Sequence, residues 1–333
     1  MPIRPFRLPA DTATLAEVLP RAFQYPEHPE WSLETDQLEG LRDSLAGLRR
    51  LWPLLRVLQI AYPPLRDVMH GFVWEEDGQP VGVINVARRG ASDIWVIGNV
   101  AVLPEYRRRG IARQLVAAAL DLARARGAAR VLLDVVEGNV PAFALYESMG
   151  FVHYTGSVEL DYLPEDGRRP PDILLPDGYT LGPLDRFDWQ ARLTLARRIT
   201  PGMVKGFEPV DPRNFRVPGW LRAFTALFER LSGQHTLLFV LRKLNGHTVA
   251  VGGCRVRTRP GGTNMLYVQA DPAHPEPAAA LLAALLREAL WAGPGRRVEL
   301  SVAAWQAPLL AAAGEVGFRQ RCAYRRMGIT LRE

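Results

Sequence analysis

Residues 107–112 read Arg-Arg-Arg-Gly-Ile-Ala, and an alanine- and leucine-rich run follows them to Gly127. An α-helix opens with backbone N–H groups that have no intrahelical partner, and its macrodipole adds about half a positive charge there. A glycine at such a point lets a ligand approach the backbone closely. Arg107, Arg108 and Arg109 add charge on the approach, so the turn suits a diphosphate. The same residues also suit a solvated basic turn that only joins a strand to a helix, and the turn alone leaves both readings open.

The elements that would position this turn are legible as patterns. "PIRPF" reads as a short edge strand, and a helix is expected from about Thr12 to Phe23 with Asp11 as its cap. Leu38, Leu41, Leu45, Leu48, Leu51, Leu55 and Leu58 recur at helical spacing from Thr35 to about Tyr62, with Pro53 set to kink the helix. Two strand-like runs flank Asp77-Gly78, a hairpin signal. "DIWVIGNVAV" is a buried strand, a helix runs from Gly110 to about Arg126, and "RVLLDVV" is another strand. In "NVPAFALYESMG", Asn139 can cap a short helix, Pro141 suits its first turn and Gly150 can end it. "FVHYTGSVELDYL" ends the set as a strand.

The second half repeats this plan. Pro141, Gly150 and Phe151 match Pro308, Gly317 and Phe318 at a constant offset of 167, and Pro104 matches Pro272 at 168. So constant a register implies an internal duplication. The proline- and charge-rich stretch from Pro164 divides the copies, giving expected domains at 1–163 and 178–333 with a linker at 164–177.

With that context, the turn and "NVPAFALYESMGF" resemble the GNAT superfamily of N-acetyltransferases. The [RQ]-x-x-G-x-[GA] signature is matched at Arg107, Gly110 and Ala112. The N-x-x-A-x-x-L-Y-x-x-x-G-F segment is matched at Asn139, Ala142, Leu145, Tyr146, Gly150 and Phe151. The resemblance implies an α/β fold of two GNAT-like domains, each a mostly antiparallel mixed sheet with a splayed central strand pair and flanking helices. It implies acetyl-coenzyme A as co-substrate, with the pantetheine arm on the backbone of Val100, Ala101 and Val102. The pyrophosphate would lie on the amides from Arg108 to Arg113, Ile111 and Ala112 included, and Asn139 would touch the coenzyme. Tyr146 would protonate the leaving thiolate, the role the motif favours over that of a core aromatic three residues after Phe143. Some family members carry a strand glutamate where this chain has Val96. Glu137, Asp93, Asp134 and His70 are substitutes by residue type, Glu137 the best placed at its strand end; a water relay is the alternative.

In the second copy Pro275 and Ala278 replace Arg107 and Gly110, Gln306 replaces Asn139, and Ala313 replaces Tyr146. Prolines at 275 and 277 remove N–H donors that a phosphate needs. This copy is expected to be a degenerate scaffold, and the first an active acetyltransferase acting on an amine of a small molecule or of a protein or peptide. A coenzyme-binding regulatory or scaffold protein without turnover is the rival reading. Arg198–Trp220 and the leucine-rich helix are candidate walls of an acceptor cleft.

Composition narrows the alternatives. The chain has 333 residues with 48% hydrophobic and 23% charged residues and a formal net charge of +6. No apolar run approaches the ~20 residues of a membrane span, and two cysteines with six scattered histidines give no disulfide framework or metal-ligand spacing. The basic residues show no aromatic interleaving for nucleic acid. A cytoplasmic, metal-free protein with no nucleic-acid or membrane partner is expected, its oligomeric state open.

Overall fold

A computed structural model describes residues 2–332 except 33–34, 62–65, 68, 165–169, 218, 220–221, 223–224, 226, 228, 230–232 and 259–261. Its chain divides into two compact units, Met1–Tyr154 with Arg325–Glu333, and Thr155–Tyr324. Both mix helices with a sheet.

The first unit contains β1 (Ile3–Pro5), α1 (Thr12–Ala22), α2 (Thr35–Ala61), β2 (His70–Glu76), β3 (Gln79–Arg88), β4 (Ile94–Val102), α3 (Ile111–Ala125), β5 (Arg130–Val136) and α4 (Val140–Glu147). Strands β1 to β4 pair antiparallel in sequence order, and β4 pairs parallel with β5. The β2–β3 hairpin turns on Asp77 and Gly78, whose φ of 51° and 77° are the two left-handed residues of a type I′ turn. Apolar residues of α1, α3 and the central strands form one core, with Leu15, Val83, Ile84, Leu115 and Val116 at 1% exposure or less. Helix α2 continues through Pro53 to Ala61, and Leu45 is its one fully buried leucine among the described residues.

The expected Asp11 cap is corrected. Its carboxylate takes the Arg4 guanidinium at 2.8 and 3.0 Å and the Arg7 amide at 2.6 Å, and makes no cap bond to α1. A bidentate, charge-assisted pair outcompetes a single helix amide.

The second unit repeats the element order with β7 (Tyr179–Pro183), α5 (Trp189–Ile199), α6 (Gly202–Phe207), β8 (Gln234–Lys243), β9 (Thr248–Arg257), β10 (Asn264–Ala270), α7 (Ala278–Ala292), β11 (Val298–Ala303) and α8 (Ala307–Val316). Its core gathers Leu241, Leu281, Leu285, Val298 and Leu300.

Two strands cross the sequence division. β6 (Val152–Tyr162) closes the first sequence copy, yet it pairs antiparallel with β11 from Ser157↔Ala303 to Tyr162↔Val298, and Leu160 and Tyr162 enter the second core. β12 (Arg319–Thr330) closes the second copy, yet it lies beside β5, with Met327 fully buried in the first core. The compact units therefore do not follow the expected division at 164–177, of which 165–169 lie outside the described residues. Both strands leave the same helix-Gly-Phe motif with similar alternation, so local pattern does not tell which β partner each will take. Among the described residues no helix is long and apolar enough to cross a membrane.

Candidate active site

β4 is where the sheet opens. Its parallel pairing with β5 covers Ile94↔Arg130 to Ile97↔Leu133 and then stops, although both strands run on. On the other side, β3 pairs Asn85 with Gly98 and Val83 with Ala101, so two residues of β4, Asn99 and Val100, face Ile84 alone. That bulge bends the strand, and Asn99 takes a φ of 47° to make it. The edge of Val100, Ala101 and Val102 toward β5 is thereby released, ready for an extended ligand to pair with it.

The arginine turn follows. After a short 3₁₀ turn at Pro104–Tyr106, Arg107 is extended, Arg108 has φ of 64° and Gly110 has φ of 77° as the cap of α3. The first backbone bond of the helix is Gln114 N–H to Gly110 O at 3.2 Å. Among the described residues the amides of Arg108, Arg109, Gly110, Ile111, Ala112 and Arg113 have no backbone acceptor. This row of free donors at a helix start fits a diphosphate.

The arginine side chains divide in role. Arg107 turns inward: its guanidinium donates to Val102 O at 3.2 Å and Ala22 O at 2.8 Å, and it lies 5.3 Å over the Tyr25 ring. It ties the end of α1 to β4 rather than reaching a ligand, which corrects the expectation that all three arginines guide the diphosphate. A guanidinium carries five donors, and two backbone carbonyls within its reach account for that choice. Arg109 pairs with Glu76 at 3.4 Å and lies over Tyr106, and Arg113 donates to Ser148 Oγ at 2.7 Å. Arg108 is exposed.

Asn139 caps α4, its Oδ1 accepting Ala142 N–H at 3.2 Å. Tyr146 on α4 is 6% exposed and meets Phe151 edge to face at 6.1 Å. Burial, with the neighbouring Tyr25 phenol, pushes its hydroxyl well above the ordinary tyrosine range. Tyr25 is likewise shifted up by burial, opposed by the Arg107 charge. It packs on Trp31 at 5.7 Å, and Trp31 comes within 3.0 Å of where a Cβ would stand on Gly138. The α1–α2 connection thus lies against the end of β5.

The candidate bases separate. Glu137 stands at the end of β5 as expected, but Arg325 holds its Oε1 at 3.1 and 3.2 Å. Asp134, the first β5 residue past the last pair with β4, is gripped at both oxygens by Arg326, at 2.7 and 3.0 Å. His70 is bound to Asp67 at 2.9 Å beside Arg126, by the C-terminal end of α3. Asp93 precedes β4, and its carbonyl takes the Ala129 amide. Those two lie at the opposite end of β4 from the bulge. Sequence reasoning missed Tyr25, Trp31, Arg325 and Arg326. The aromatic cluster between the first two helices was a usable signal; for the arginines, 188 and 192 positions from their carboxylates, there was none.

In the second unit the parallel pair β10–β11 also covers four residue pairs, Asn264↔Val298 to Tyr267↔Ser301, before it stops, but the bulge is missing: β9 and β10 pair without a break from Arg255↔Met265 to Ala250↔Ala270. Gln306, 2% exposed, donates to Ala270 O at 3.0 Å. Ala278 N–H is already bonded to Pro275 O at 3.1 Å, and Ala313, where the first copy has Tyr146, is fully buried.

A bulged, splayed parallel strand pair beside a helix with free opening amides defines a GNAT fold. Comparisons with known proteins agree. Residues 32–151 match the acetyltransferase (GNAT) family. Over 77 residues the chain is 40% identical to ribosomal protein bS18-alanine N-acetyltransferase of Escherichia coli (strain K12), covering 23% of this chain and 51% of that protein. The chain therefore spans about half the length of the curated relatives it matches. It superposes on a tandem GNAT protein from the clavulanic acid biosynthesis pathway over 98% of both chains, with TM-score 0.63 and 18% identity. The GCN5-related N-acetyltransferase from Sphaerobacter thermophilus gives TM-score 0.65 at 17% identity, over 99% of this chain and 96% of that one. At such identity the likeness is one of fold. Residues 32–151 are thus similar to the GNAT acetyltransferases, and the fold of the chain is that of a tandem GNAT protein.

Proposed function

We propose that the first unit transfers an acetyl group from acetyl-coenzyme A to a primary amine. The observation that carries this is the row of unbonded amides from Arg108 to Arg113, one turn away from the released edge of β4. Those amides would hold the pyrophosphate and the β4 edge the pantetheine arm, placing the thioester beside Tyr146. The acceptor nitrogen attacks the carbonyl carbon; the C–S bond breaks as the C–N bond forms, and the nitrogen sheds its surplus proton to water, which in turn reprotonates Tyr146 after it has served the thiolate. Burial keeps Tyr146 protonated until the sulfur becomes a thiolate, and the phenol then gives up its proton to it. A backbone N–H of the bulged strand would hold the oxyanion.

The acceptor arrives as a neutral amine, its proton leaving through water or through Asp134 or Glu137. Both carboxylates have their oxygens engaged by arginines, so the water relay is the better supported route. That same feature is what favours the rival, coenzyme binding without turnover. The curated relative named above acts on a protein alanine, which supports an N-terminal or small α-amino acceptor. The second unit, with no bulge in β10, Gln306 on the Ala270 carbonyl and prolines at 275 and 277, serves as scaffold.

Full-length protein with acetyl-coenzyme A, an amine panel and a thiol-detecting dye separates the readings. Cys254 and Cys322 are buried and burial pushes both thiols up, Cys254 to about 11, so the dye reads coenzyme thiol. Acceptor-dependent thiol release that Tyr146→Phe abolishes is expected; coenzyme binding without release across the panel favours the rival.

A further inference from the structure

The acceptor side of the bulge holds a buried donor that no described residue satisfies. Asn85 is 6% exposed, and its Nδ2 has no hydrogen-bond partner among the described residues. Only its Oδ1 is engaged, by Nδ2 of the exposed Asn99 at 3.3 Å. An unpaired buried amide is unfavourable, and each one in a folded protein calls for an explanation.

The space for that ligand is visible next to it. Cross-strand partners point to the same sheet face, and the partner of Asn85 is Gly98. A Cβ built on Gly98 meets nothing within 4 Å. The opposite face is the one on α3, since a Cβ on Gly82 would touch Ile111 and Leu115. Gly98 therefore opens on space on the face away from α3, and Asn85, its Nδ2 itself covered, stands beside that space. The bulge begins at the next residue, where the pairing of β4 with β5 has already stopped.

We propose that Asn85 is a specificity-determining residue: its Nδ2 donates to a carbonyl or carboxylate oxygen next to the reactive amine, selecting α-amino carbonyl compounds over plain amines. A side-chain amide donor asks for an oxygen, and the space beside Gly98 admits it within a strand spacing of the splay. The proposal rests on the first unit being the transfer site.

The test compares wild type with Asn85→Leu, of similar shape, on two readouts. The first needs no acceptor. With the orphan donor removed, melting temperature should rise by about 2 °C; a fall shows that the amide is structural and overturns the proposal. The second measures KM for alaninamide and for isobutylamine, of similar size without the carbonyl. Wild type should prefer alaninamide; the variant should lose about tenfold in KM for it and change little for isobutylamine. Equal loss on both amines, a changed KM for acetyl-coenzyme A, or no preference in the wild type overturns it. So does a wild type that binds coenzyme A by calorimetry yet turns over neither amine. Failure to bind coenzyme A sinks the acetyltransferase reading instead, and is told apart by that titration.

Discussion

Tyr146 and the arginines of the turn make opposite predictions about binding and turnover. Because burial raises the Tyr146 hydroxyl, it stays protonated across the range in which amines lose their protons. kcat/KM should climb with pH as the acceptor is deprotonated and show no falling limb below about pH 10, the ordinary tyrosine value. A falling limb nearer neutrality counts against Tyr146 as the acid. Tyr146→Phe should lower kcat about 100-fold while calorimetric affinity for coenzyme A stays within about threefold of wild type. Among the arginines, Arg108→Glu should weaken coenzyme A by about tenfold or more and leave melting unchanged, since Arg108 is exposed beside the free amides. Arg107→Ala should do the reverse, lowering the melting temperature by loss of its bonds to Val102 and Ala22. If Arg107→Ala instead leaves melting intact and removes binding, the inward role assigned to it is wrong.

At the level of elements, the pattern of the sequence predicted more than it located. The arginine turn, the Asn139 cap and the Asp77-Gly78 hairpin were legible because each depends on neighbours within a few residues. The splay of β4 from β5 was implied only by the family resemblance, since its physical origin is a register offset between β3 and β4 that no alternation pattern reveals. Asn99 in a left-handed conformation is the local trace of it, and a lone asparagine in a strand run is too weak a signal to read. Gly110 offers the test at this scale. Its φ of 77° is disfavoured for a β-branched residue, and a Cβ there meets nothing in the protein. Gly110→Val should thus act by turning the Ile111–Arg113 amides, weakening coenzyme A about tenfold or more. Gly246→Val, at φ of 82° in the β8–β9 turn, imposes similar backbone strain away from the site. It should lower stability with coenzyme affinity untouched; equal effects on binding from both variants would falsify the role of the helix start.

For the molecule as a whole, the duplication was plain in the sequence and the strand exchange was not. Constant spacing between copies reports common ancestry of pattern, whereas the choice of sheet for a closing strand is made by tertiary packing. The consequence is that the first sequence copy is not a self-sufficient unit. Cut after residue 163, it would lose Met327 from its core, the strand beside β5, and the two arginines on Glu137 and Asp134. It would also leave Leu160 and Tyr162 of β6 without the β11 neighbour that covers them, an exposed strand edge prone to aggregation. Residues 1–163 expressed alone are therefore expected to be insoluble or to bind no coenzyme A. A fusion of residues 2–154 through a flexible linker to residues 325–332 should recover solubility and part of the affinity, because it restores the missing neighbour of β5. Sedimentation and calorimetry on both decide the matter: a monomeric 1–163 fragment with wild-type affinity would show that β6 can replace β12, and that the exchange is a feature of assembly with no bearing on the site.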